Sequence, residues 1–380
     1  MKIGIPREIY EGEKRVAIVP KMATQLLKEG HEVFIEANAG EGAYFTDIEY
    51  DRIGAIIVEN AQLLYSEVDV IMKVQPPQRE EVEMMRDSSI YIGFLSSVLD
   101  DEFLNLINKK SITSFAMEFI PRISRSQSMD ALSSMASIAG YRAVLIAAQH
   151  LGKFFPLMMT AAGTIPPAKV LVVGAGVAGL QSIATARRLG ARVEAFDTRP
   201  AVREQVESLG AQFIEMELVA DAETATGYAK EMTEEFMKKE REIIGERAAQ
   251  NHVVITTAQL IGKKAPTLIT EEMVERMQEG SVIIDLAAEQ GGNCEITEPG
   301  KNVCRHGVTI CGVLNLPSTL PIDASAMYSR NITQFFKHLY NGENRKLDFE
   351  DKITKSSCVT HNGEIVNDYV RNAIRKGANT

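Results

Sequence analysis

The chain has 380 residues, which is long for a single hydrophobic core, so two domains of ordinary size are expected. Its 51 acidic residues outnumber its 41 lysines and arginines, and the resulting net charge of −10 disfavours binding to the phosphate backbone of nucleic acids. No uninterrupted apolar run reaches the roughly 18–20 residues of a membrane helix, and the N-terminus carries acids and a proline where a signal peptide is apolar.

Short apolar runs alternate with helical patterns in the first third of the sequence. Strands are predicted for "KIGIP", "HEVFIEA", "AIIVEN", "DVIMKV" and "ITSFAME", and helices for "PKMATQLLKEG" and "DDEFLNLINKK". Strands separated by helices are typical of βαβ crossovers, which place the strands parallel to one another. The first third therefore predicts an α/β domain with a parallel sheet.

The sequence turns helical from Asp130 to Leu151, which predicts a long helix or a helix pair that crosses into a second domain. The loop "TAAGTIPPA" then leads into another βαβ series. Its predicted strands are "KVLVVG", "RVEAFD", "AQFIEM", "HVVITTA", "SVIIDLA" and "VTICGVL".

The sequence after Leu320 predicts a return to the first domain. "DASAMYSRNITQFFKHLY" has a helical pattern, and "SSCVTHNGEIV" resembles two short strands around an Asn-Gly turn. We therefore expect a discontinuous first domain, residues 1–135 with 320–380, and a second domain of residues 136–319, with a cleft between them.

The four cysteines, Cys294, Cys304, Cys311 and Cys358, lack CxxC spacing and are predicted to be reduced structural thiols of a cytosolic protein. No cluster of residues has the spacing of metal ligands, so no metal is predicted.

A glycine-rich turn opens the second βαβ series. In "KVLVVGAGVAGLQSIATARRLG" the glycines Gly174, Gly176 and Gly179 follow an apolar strand and open a predicted helix that begins with Val177 and Ala178. Gly174 permits a tight turn, Gly176 lets the backbone approach a pyrophosphate, and Gly179 lets helix and strand pack closely. The helix N-terminus supplies N–H groups for the phosphates. The alternative is a glycine-rich turn that binds nothing.

An acid ends the next strand, at the distance that a dinucleotide-binding fold requires. Asp197 can accept hydrogen bonds from both ribose hydroxyls and would repel a 2′-phosphate, so the sequence favours NAD(H) over NADP(H). Arg199 is a possible partner for a 2′-phosphate, but we interpret it as a solvated loop charge.

Three further segments are candidates for the site. Loops 256–263 and 285–293 follow strands of the second domain, so Ala258, Glu289 and Asn315 are plausible neighbours of a nicotinamide ring, with ordinary loop packing as the alternative. Residues 217–232 are rich in Ala, Thr and acids; we predict a lid with Tyr228 at its tip, and the alternative is a variable surface insertion.

Hydrogen-bonding side chains crowd the stretch "PRISRSQSMDALSSMASIAGYR", which contains no His, Cys or Lys. Such a set can position a ligand but offers little proton chemistry. In the first domain, Arg15 and Lys73 stand beside predicted strands, and each could either hold a substrate carboxylate or be a solvated charge.

The sequence resembles the alanine dehydrogenase and nicotinamide nucleotide transhydrogenase superfamily over nearly its whole length. "IGIPREIYEGEKRVAIVP", "DVIMKVQPP", "VLVVGAGVAGLQSIATARRLGA" and "VIIDLAAEQGGN" are similar to motifs of both branches. The resemblance implies two Rossmann-like domains, with NAD(H) bound by the second.

Two other motifs favour the transhydrogenase branch. "MEFIPRISRSQSMDALSSMASIAGYRAV" and "MMTAAGTIPPAKVLVVGAGVAG" resemble the NAD(H)-binding domain of proton-translocating transhydrogenase. In that family the corresponding loop holds the nicotinamide ring, which implies this role for Arg122, Gln127, Asp130 and Ser133. "GYAKEM" resembles the family's mobile loop, which implies cofactor contacts for Tyr228 and Met232.

Alanine dehydrogenases instead use a His after a first-domain strand, with Lys and Arg on the substrate carboxylate. The corresponding stretch here, residues 94–97, contains no His, although Arg15 and Lys73 remain. Because reductive amination needs proton transfers, that loss disfavours an amino-acid dehydrogenase. This activity nevertheless remains the alternative, and a noncatalytic NAD(H)-binding regulatory protein is a third hypothesis.

Direct hydride transfer between two nicotinamide rings explains the side chains of the crowded stretch, because it needs position and exclusion of water but no general acid or base. By resemblance, the chain would be the NAD(H)-binding component of a Re/Si-specific NAD(P) transhydrogenase. NADP(H) and a membrane-spanning proton channel would reside on partner subunits. The resemblance also implies a homodimer, and a cytoplasmic chain held at the inner membrane by those partners.

Overall fold

A computed structural model of the chain describes residues 1–95, 100–216, 234–259, 264–340 and 347–377. In chain order the first elements are β1 (Lys2–Ile5), α1 (Pro20–Lys28), β2 (Glu32–Glu36), α2 (Asp47–Arg52), β3 (Ile56–Val58), α3 (Ala61–Glu67), β4 (Val70–Met72), α4 (Arg79–Met84), β5 (Ile90–Gly93), α5 (Asp101–Lys109), β6 (Thr113–Ala116) and α6 (Ala131–His150). The next are β7 (Met158–Thr160), β8 (Gly163–Ile165), β9 (Lys169–Val173), α7 (Val177–Arg188), β10 (Arg192–Phe196), α8 (Arg203–Ser208), β11 (Gln212–Ile214), α9 (Glu234–Ala248), β12 (Val253–Thr256), α10 (Glu271–Glu275), β13 (Val282–Asp285), β14 (Asn302–Arg305) and β15 (Val308–Gly312). The last are α11 (Pro321–Leu339), α12 (Lys352–Ser357), β16 (Cys358–His361), β17 (Glu364–Ile365) and α13 (Asp368–Gly377).

The chain forms two compact units, residues 1–135 with 318–380 and residues 136–317. Each unit is an α/β fold around its own sheet. The long helix α6 begins in the first unit and continues in the second, at the place where a long helix was predicted.

The sheet of the first unit has the order β17-β16-β6-β5-β4-β1-β2-β3. Strands β1 to β6 are parallel, while β16 is antiparallel to β6 and to β17. The expected Asn-Gly turn joins β16 to β17, with both Asn362 and Gly363 at positive φ. The predicted parallel sheet thus gains an antiparallel edge, because a hairpin of the C-terminal tail adds to it.

The sheet of the second unit has the order β11-β10-β9-β12-β13-β15-β14. The strands are parallel except β14, which is antiparallel to β15 and was not predicted. The predicted loop "TAAGTIPPA" contains part of a small separate hairpin, β7 with β8. Leaving out the antiparallel edges, both units have the strand order 3-2-1-4-5-6 of dinucleotide-binding folds.

Local sequence explains where two of the helices begin and why one central strand is buried. Helix α1 has Pro20 in its first turn, where a missing N–H costs nothing, and α5 begins after Asp100, whose carboxylate accepts the Phe103 N–H. Strand β9 is buried from Val170 to Val173, as expected for a central parallel strand covered on both faces.

Register places the functional loops of the second unit side by side. Val173 pairs with Phe196 on one side and with Thr256 on the other, and Thr256 pairs with Asp285. The carboxyl ends of β9, β10, β12 and β13 therefore lie at one edge, where open α/β sheets bind their ligands.

Candidate functional site

The turn after β9 leaves no room for side chains at two of its glycines. Gly174 has φ +96°, and a Cβ there would lie 2.5 Å from the Thr257 Oγ1 atom. A Cβ on Gly179 would lie 1.9 Å from the Gly174 carbonyl oxygen. Both positions therefore require glycine, because backbone and neighbouring atoms already fill the space.

Gly176 differs from these two glycines. A Cβ at this position would have no neighbour within 4 Å, and its φ of −74° is open to any residue. The glycine caps α7, whose first residues are Val177, Ala178 and Gly179. Their N–H groups precede the first intrahelical bonds and carry the positive end of the helix dipole. The open space before this helix fits a phosphate group of a dinucleotide.

Asp197 borders the same turn. It follows β10 and is only 9% exposed, and its Oδ2 atom accepts a hydrogen bond from the Ala175 N–H at 2.7 Å. The carboxylate is thus tied to the backbone between Gly174 and Gly176. This is the place that an adenine ribose would need for hydrogen bonds to its hydroxyls.

Arg199 forms a bidentate pair with the Asp197 carboxylate through one edge of its guanidinium. Its Nε atom donates to Oδ1 and its Nη2 atom to Oδ2, each at 2.9 Å, and its backbone N–H donates to Oδ1 at 2.9 Å. The interpretation of Arg199 as a solvated loop charge is therefore wrong. A bidentate pair fixes the carboxylate plane and adds a cation to the ribose end of the candidate site.

Buried Asp285 organises the loop after β13. It accepts the Thr256 hydroxyl at 3.1 Å, the Asn293 N–H at 2.8 Å and the Thr297 hydroxyl at 2.7 Å. Asn293 in turn accepts the Ala258 N–H at 3.0 Å and donates to the Ala258 carbonyl at 2.9 Å. Ala258, a predicted cofactor contact, is thus held rigidly.

Sequence reasoning missed Asp285 and Asn293. The signal was the acid at the end of the apolar strand "VIID", since a carboxylate in that position must find hydrogen-bond donors. The two other candidates of this edge lie together, because the Asn315 N–H donates to the Glu289 carboxylate at 2.6 Å.

Within the Arg-Gln-Asp-Ser stretch of the first unit, Ser124–Met129 form a 3-10 segment that leads into α6 and contains Gln127. Arg122 and Gln127 are exposed. Asp130 accepts the Ser133 N–H at 2.9 Å and the Ser133 hydroxyl at 2.6 Å, which caps the helix. Asp130 and Ser133 therefore lie together at the start of α6.

Inward-facing side chains anchor this segment while Gln127 faces outward. Ser126 is 1% exposed, and its hydroxyl donates to the Pro121 and Ile123 carbonyls. Met129 is buried, and Asn331 of α11 donates to the Ser128 carbonyl at 2.9 Å. The segment presents a polar side chain from a fixed backbone.

Arg15 and Lys73 of the first unit are buried in a cluster with three carboxylates. The Arg15 guanidinium is bound to Glu13 through Nε at 2.8 Å and Nη2 at 2.5 Å. The Lys73 ammonium lies 2.5 Å from Glu81 and 3.9 Å from Glu8. The alternative of solvated charges is therefore wrong for both, since each is paired with the chain's own carboxylates.

Three carboxylates face two cations here, so one negative charge is in excess. Glu8 has the longest ion pair, and burial, opposed by Lys73, raises its pKa from 4.5 to about 7. Burial acts on Glu13 in the same direction, but the hydrogen bonds and charge of Arg15 outweigh it and lower the pKa of Glu13 to about 2. Glu8 is the carboxylate that takes up a proton.

Several predictions fall partly outside the described residues. Tyr228 and Met232 lie there, as do Ser96 and Ser97, while Phe94 and Leu95 lie inside.

No group of three or more His, Cys, Asp or Glu side chains in the described ranges is arranged for a metal ion. Helix α6 is the one described helix long and apolar enough to cross a membrane, which is weak support for a span. The four cysteines are unpaired thiols.

Comparison with known proteins agrees with the geometry of both units. The Alanine dehydrogenase/PNT, N-terminal domain matches residues 4–139, and the Alanine dehydrogenase/PNT, C-terminal domain matches residues 143–368. An NAD(P) transhydrogenase alpha-subunit chain of Rhodospirillum rubrum is 48% identical over 375 residues, which are 96% of this chain and 98% of the relative.

A solved structure of the transhydrogenase from Sinorhizobium meliloti superimposes with a TM-score of 0.85 at 39% identity, covering 97% of this chain and 100% of that one. Alanine dehydrogenase of Staphylococcus epidermidis is more distant, at 29% identity over 97% of this chain and 95% of the relative. The chain thus belongs to the alanine dehydrogenase/PNT family and is an oxidoreductase component of the NAD(P) transhydrogenase alpha-subunit kind.

Proposed function

We propose that this chain binds NAD(H) and exchanges hydride with NADP(H) held on a partner subunit, as the NAD(H)-binding component of a Re/Si-specific, proton-translocating transhydrogenase. The observation that carries the proposal is the open space at Gly176, framed by two glycines that cannot change and by Asp197. NADH, when bound, supplies the hydride from C4 of its dihydronicotinamide ring.

The second unit would hold the dinucleotide by its phosphates and its adenine ribose. The N–H groups of Val177, Ala178 and Gly179 at the start of α7 would bind the pyrophosphate. Asp197 would accept the ribose hydroxyls, with its carboxylate oriented by Arg199. Ala258 would pack at the nicotinamide side, held by Asn293. The expected contacts of Tyr228 and Met232 are part of the same proposal.

The 3-10 segment of the first unit would orient the nicotinamide carboxamide. Gln127 offers both a donor and an acceptor from an exposed position, and Arg122 adds donors. Asp130 and Ser133 are hydrogen-bonded to each other at the start of α6, and both would help to hold the ring. None of these side chains needs to move a proton, which suits a hydride transfer between two rings.

The buried cluster disfavours an amino-acid dehydrogenase. A substrate carboxylate would have to displace Glu13 from Arg15, or Glu81 from Lys73, in a site with three carboxylates already. The absence of a histidine from the stretch 94–97 removes the proton donor as well. Oxidation of NADH by pyruvate and ammonia is therefore expected to fail.

Partners complete the proposed reaction. The NADP(H)-binding subunit would present the second ring, and a membrane-spanning subunit would carry protons and hold this chain at the cytoplasmic side of the membrane.

We also propose a homodimer. The β7–β8 hairpin and its flanks expose Phe154, Leu157 and Met159, the last at 78%, which is typical of a surface covered by another chain.

The test is hydride exchange between NADH and the analogue 3-acetylpyridine adenine dinucleotide, with NADP(H) present. The purified chain is assayed alone and with an added transhydrogenase NADP(H)-binding domain. Turnover is expected only with the added domain. NADH oxidation by pyruvate and ammonia in the chain alone would contradict the proposal and establish the dehydrogenase.

Gln127→Asn separates positioning from binding in the same assay. Shortening the side chain moves its amide without changing its chemistry, so hydride transfer is expected to slow more than NADH affinity falls. An equal loss of both would make Gln127 an anchor for the dinucleotide instead of an orienting group.

A further inference from the structure

One largely buried carboxylate of the first unit, that of Asp351, connects the 3-10 segment Ser124–Met129, which contains Gln127, to two C-terminal helices. Asp351 accepts the Ile353 N–H at 2.9 Å and the Thr354 N–H at 3.2 Å, which caps α12. It also accepts His338 Nε2, from the end of α11, at 2.8 Å. Its Oδ2 atom binds the guanidinium of Arg125.

A helix cap alone does not require this arrangement. The two backbone N–H groups use only Oδ1, and Asn, Ser or Thr would serve them as well. Burial opposes ionisation of Asp351, yet hydrogen bonds from His338, the Thr354 N–H and Arg125 lower its pKa to about 2. The carboxylate is therefore charged at neutral pH, and the charge is directed toward two side chains from outside α12.

Arg125 belongs to the same 3-10 segment as Gln127, two residues away. Ser126 and Met129 turn inward, so Arg125 is the side chain that ties the outward face of the segment. Its own side chain is 58% exposed, whereas that of Asp351 is only 11% exposed. A flexible exposed side chain is thus fastened to a rigid acceptor, which α11 and α12 both hold.

We propose that Arg125, held by Asp351, is a positioning residue that fixes the 3-10 segment containing Gln127 for hydride transfer. This inference rests on the proposed function, in which Gln127 orients the nicotinamide ring. A partly exposed ion pair adds little to global stability, but small displacements of an orienting group lower the rate strongly. The expected effect is therefore on rate.

The experiment compares Arg125→Met, Arg125→Lys and Asp351→Asn with Arg86→Met as the matched control. Arg86 is half-exposed and paired with Asp69 in the same unit, far along the chain from the segment. Single-turnover hydride transfer, measured with the added NADP(H)-binding domain, is expected to fall about tenfold in Arg125→Met and Asp351→Asn. NADH affinity and the thermal midpoint should stay close to wild type, and Arg125→Lys should recover part of the rate.

Hydrogen exchange gives a second measurement that does not depend on catalysis. Amides of residues 122–130 should exchange faster in Arg125→Met and Asp351→Asn than in wild type or Arg86→Met. Unchanged exchange and an unchanged rate would overturn the inference. If affinity and rate fall equally, Arg125 contacts the dinucleotide and the positioning role is wrong. Absence of turnover in wild type would count against the proposed function, while hydrogen exchange would still decide the role of Arg125.

Discussion

The two units have the same strand order, but they differ at its switch point, which is the place between neighbouring central strands where the strand order reverses. In the first unit, loops after the neighbouring strands β1 and β4 meet through Glu8, which accepts the Val74 N–H at 2.6 Å and lies near the ammonium of Lys73. In the second, the turn after β9 contains Gly176, which faces open space. The crevice that this topology creates is filled by ionic side chains in one unit and kept open by glycine in the other.

This difference shows that topology provides a place for a ligand, while side chains decide whether the place is available. Four predictions test the comparison, beginning with the one expected to have the largest effect.

Lys73→Met should destabilise the first unit most. Lys73 is fully buried, and its removal leaves Glu81 and Glu8 without their cation. Loss of one partner of a buried pair costs about 3–5 kcal/mol of unfolding free energy. Urea unfolding measures the loss, and Lys2→Met, at an exposed pair with Glu67, should leave the transition nearly unchanged. Similar transitions in both variants would mean that water already reaches the cluster.

Gly179→Ala should destabilise the second unit by about 3 kcal/mol, because its Cβ would lie 1.9 Å from a backbone carbonyl. Gly176→Ala is the matched substitution three residues earlier and should leave stability unchanged, since its Cβ meets nothing within 4 Å. Thermal unfolding of both variants provides the comparison. An equal loss in the two would show that Gly176 is also enclosed.

Glu8→Gln should change how stability depends on pH. The folded pKa of Glu8, about 7, lies above its ordinary 4.5, so between these values the folded protein keeps a proton that the unfolded chain releases. Stability from this group is present below pH 4.5 and is lost as the pH rises to 7. Between pH 5 and 8 the wild type should lose about 2 kcal/mol relative to Glu8→Gln. Parallel pH profiles from urea titrations would contradict a buried proton on Glu8.

Asp197→Ala should have the smallest of the four effects, which is a change in the relative affinities for NADH and NADPH. Loss of the ribose hydrogen bonds should weaken NADH binding about tenfold. The substitution also releases the Arg199 guanidinium from its bidentate pair, so NADPH binding should strengthen. Fluorescence titrations with both dinucleotides measure the two changes. Unchanged NADH affinity would break the assignment of Asp197 to the ribose.

Local sequence predicted the parts of the fold that depend on neighbouring residues. The glycine turn and the Asn-Gly hairpin carry their signal within a few positions, because backbone conformation at glycine is a local property. Helix α6 was predicted from a long run of small and apolar residues that contains no strong helix breaker except Gly140. Strand β14 was missed because "NVCR" has no apolar alternation of its own and forms by pairing with β15.

Charge pairs were the harder part of the candidate site. Arg199 and Asp197 are two residues apart, and in extended chain such side chains point the same way, so that pair could have been found. The pairing of Lys73 with Glu8 could not, because the contact depends on the adjacency of β1 and β4. The same holds for Arg125 and Asp351, which lie 226 positions apart.

The most direct test of the comparison is calorimetric titration of NADH into the wild type and Gly176→Val. A valine at this position keeps an allowed φ of −74° but places its side chain in the open space before α7. The wild type should show a single NADH site per chain, and Gly176→Val should unfold at the same temperature without measurable NADH binding. Wild-type affinity in Gly176→Val would contradict the account, because the dinucleotide would then lie elsewhere.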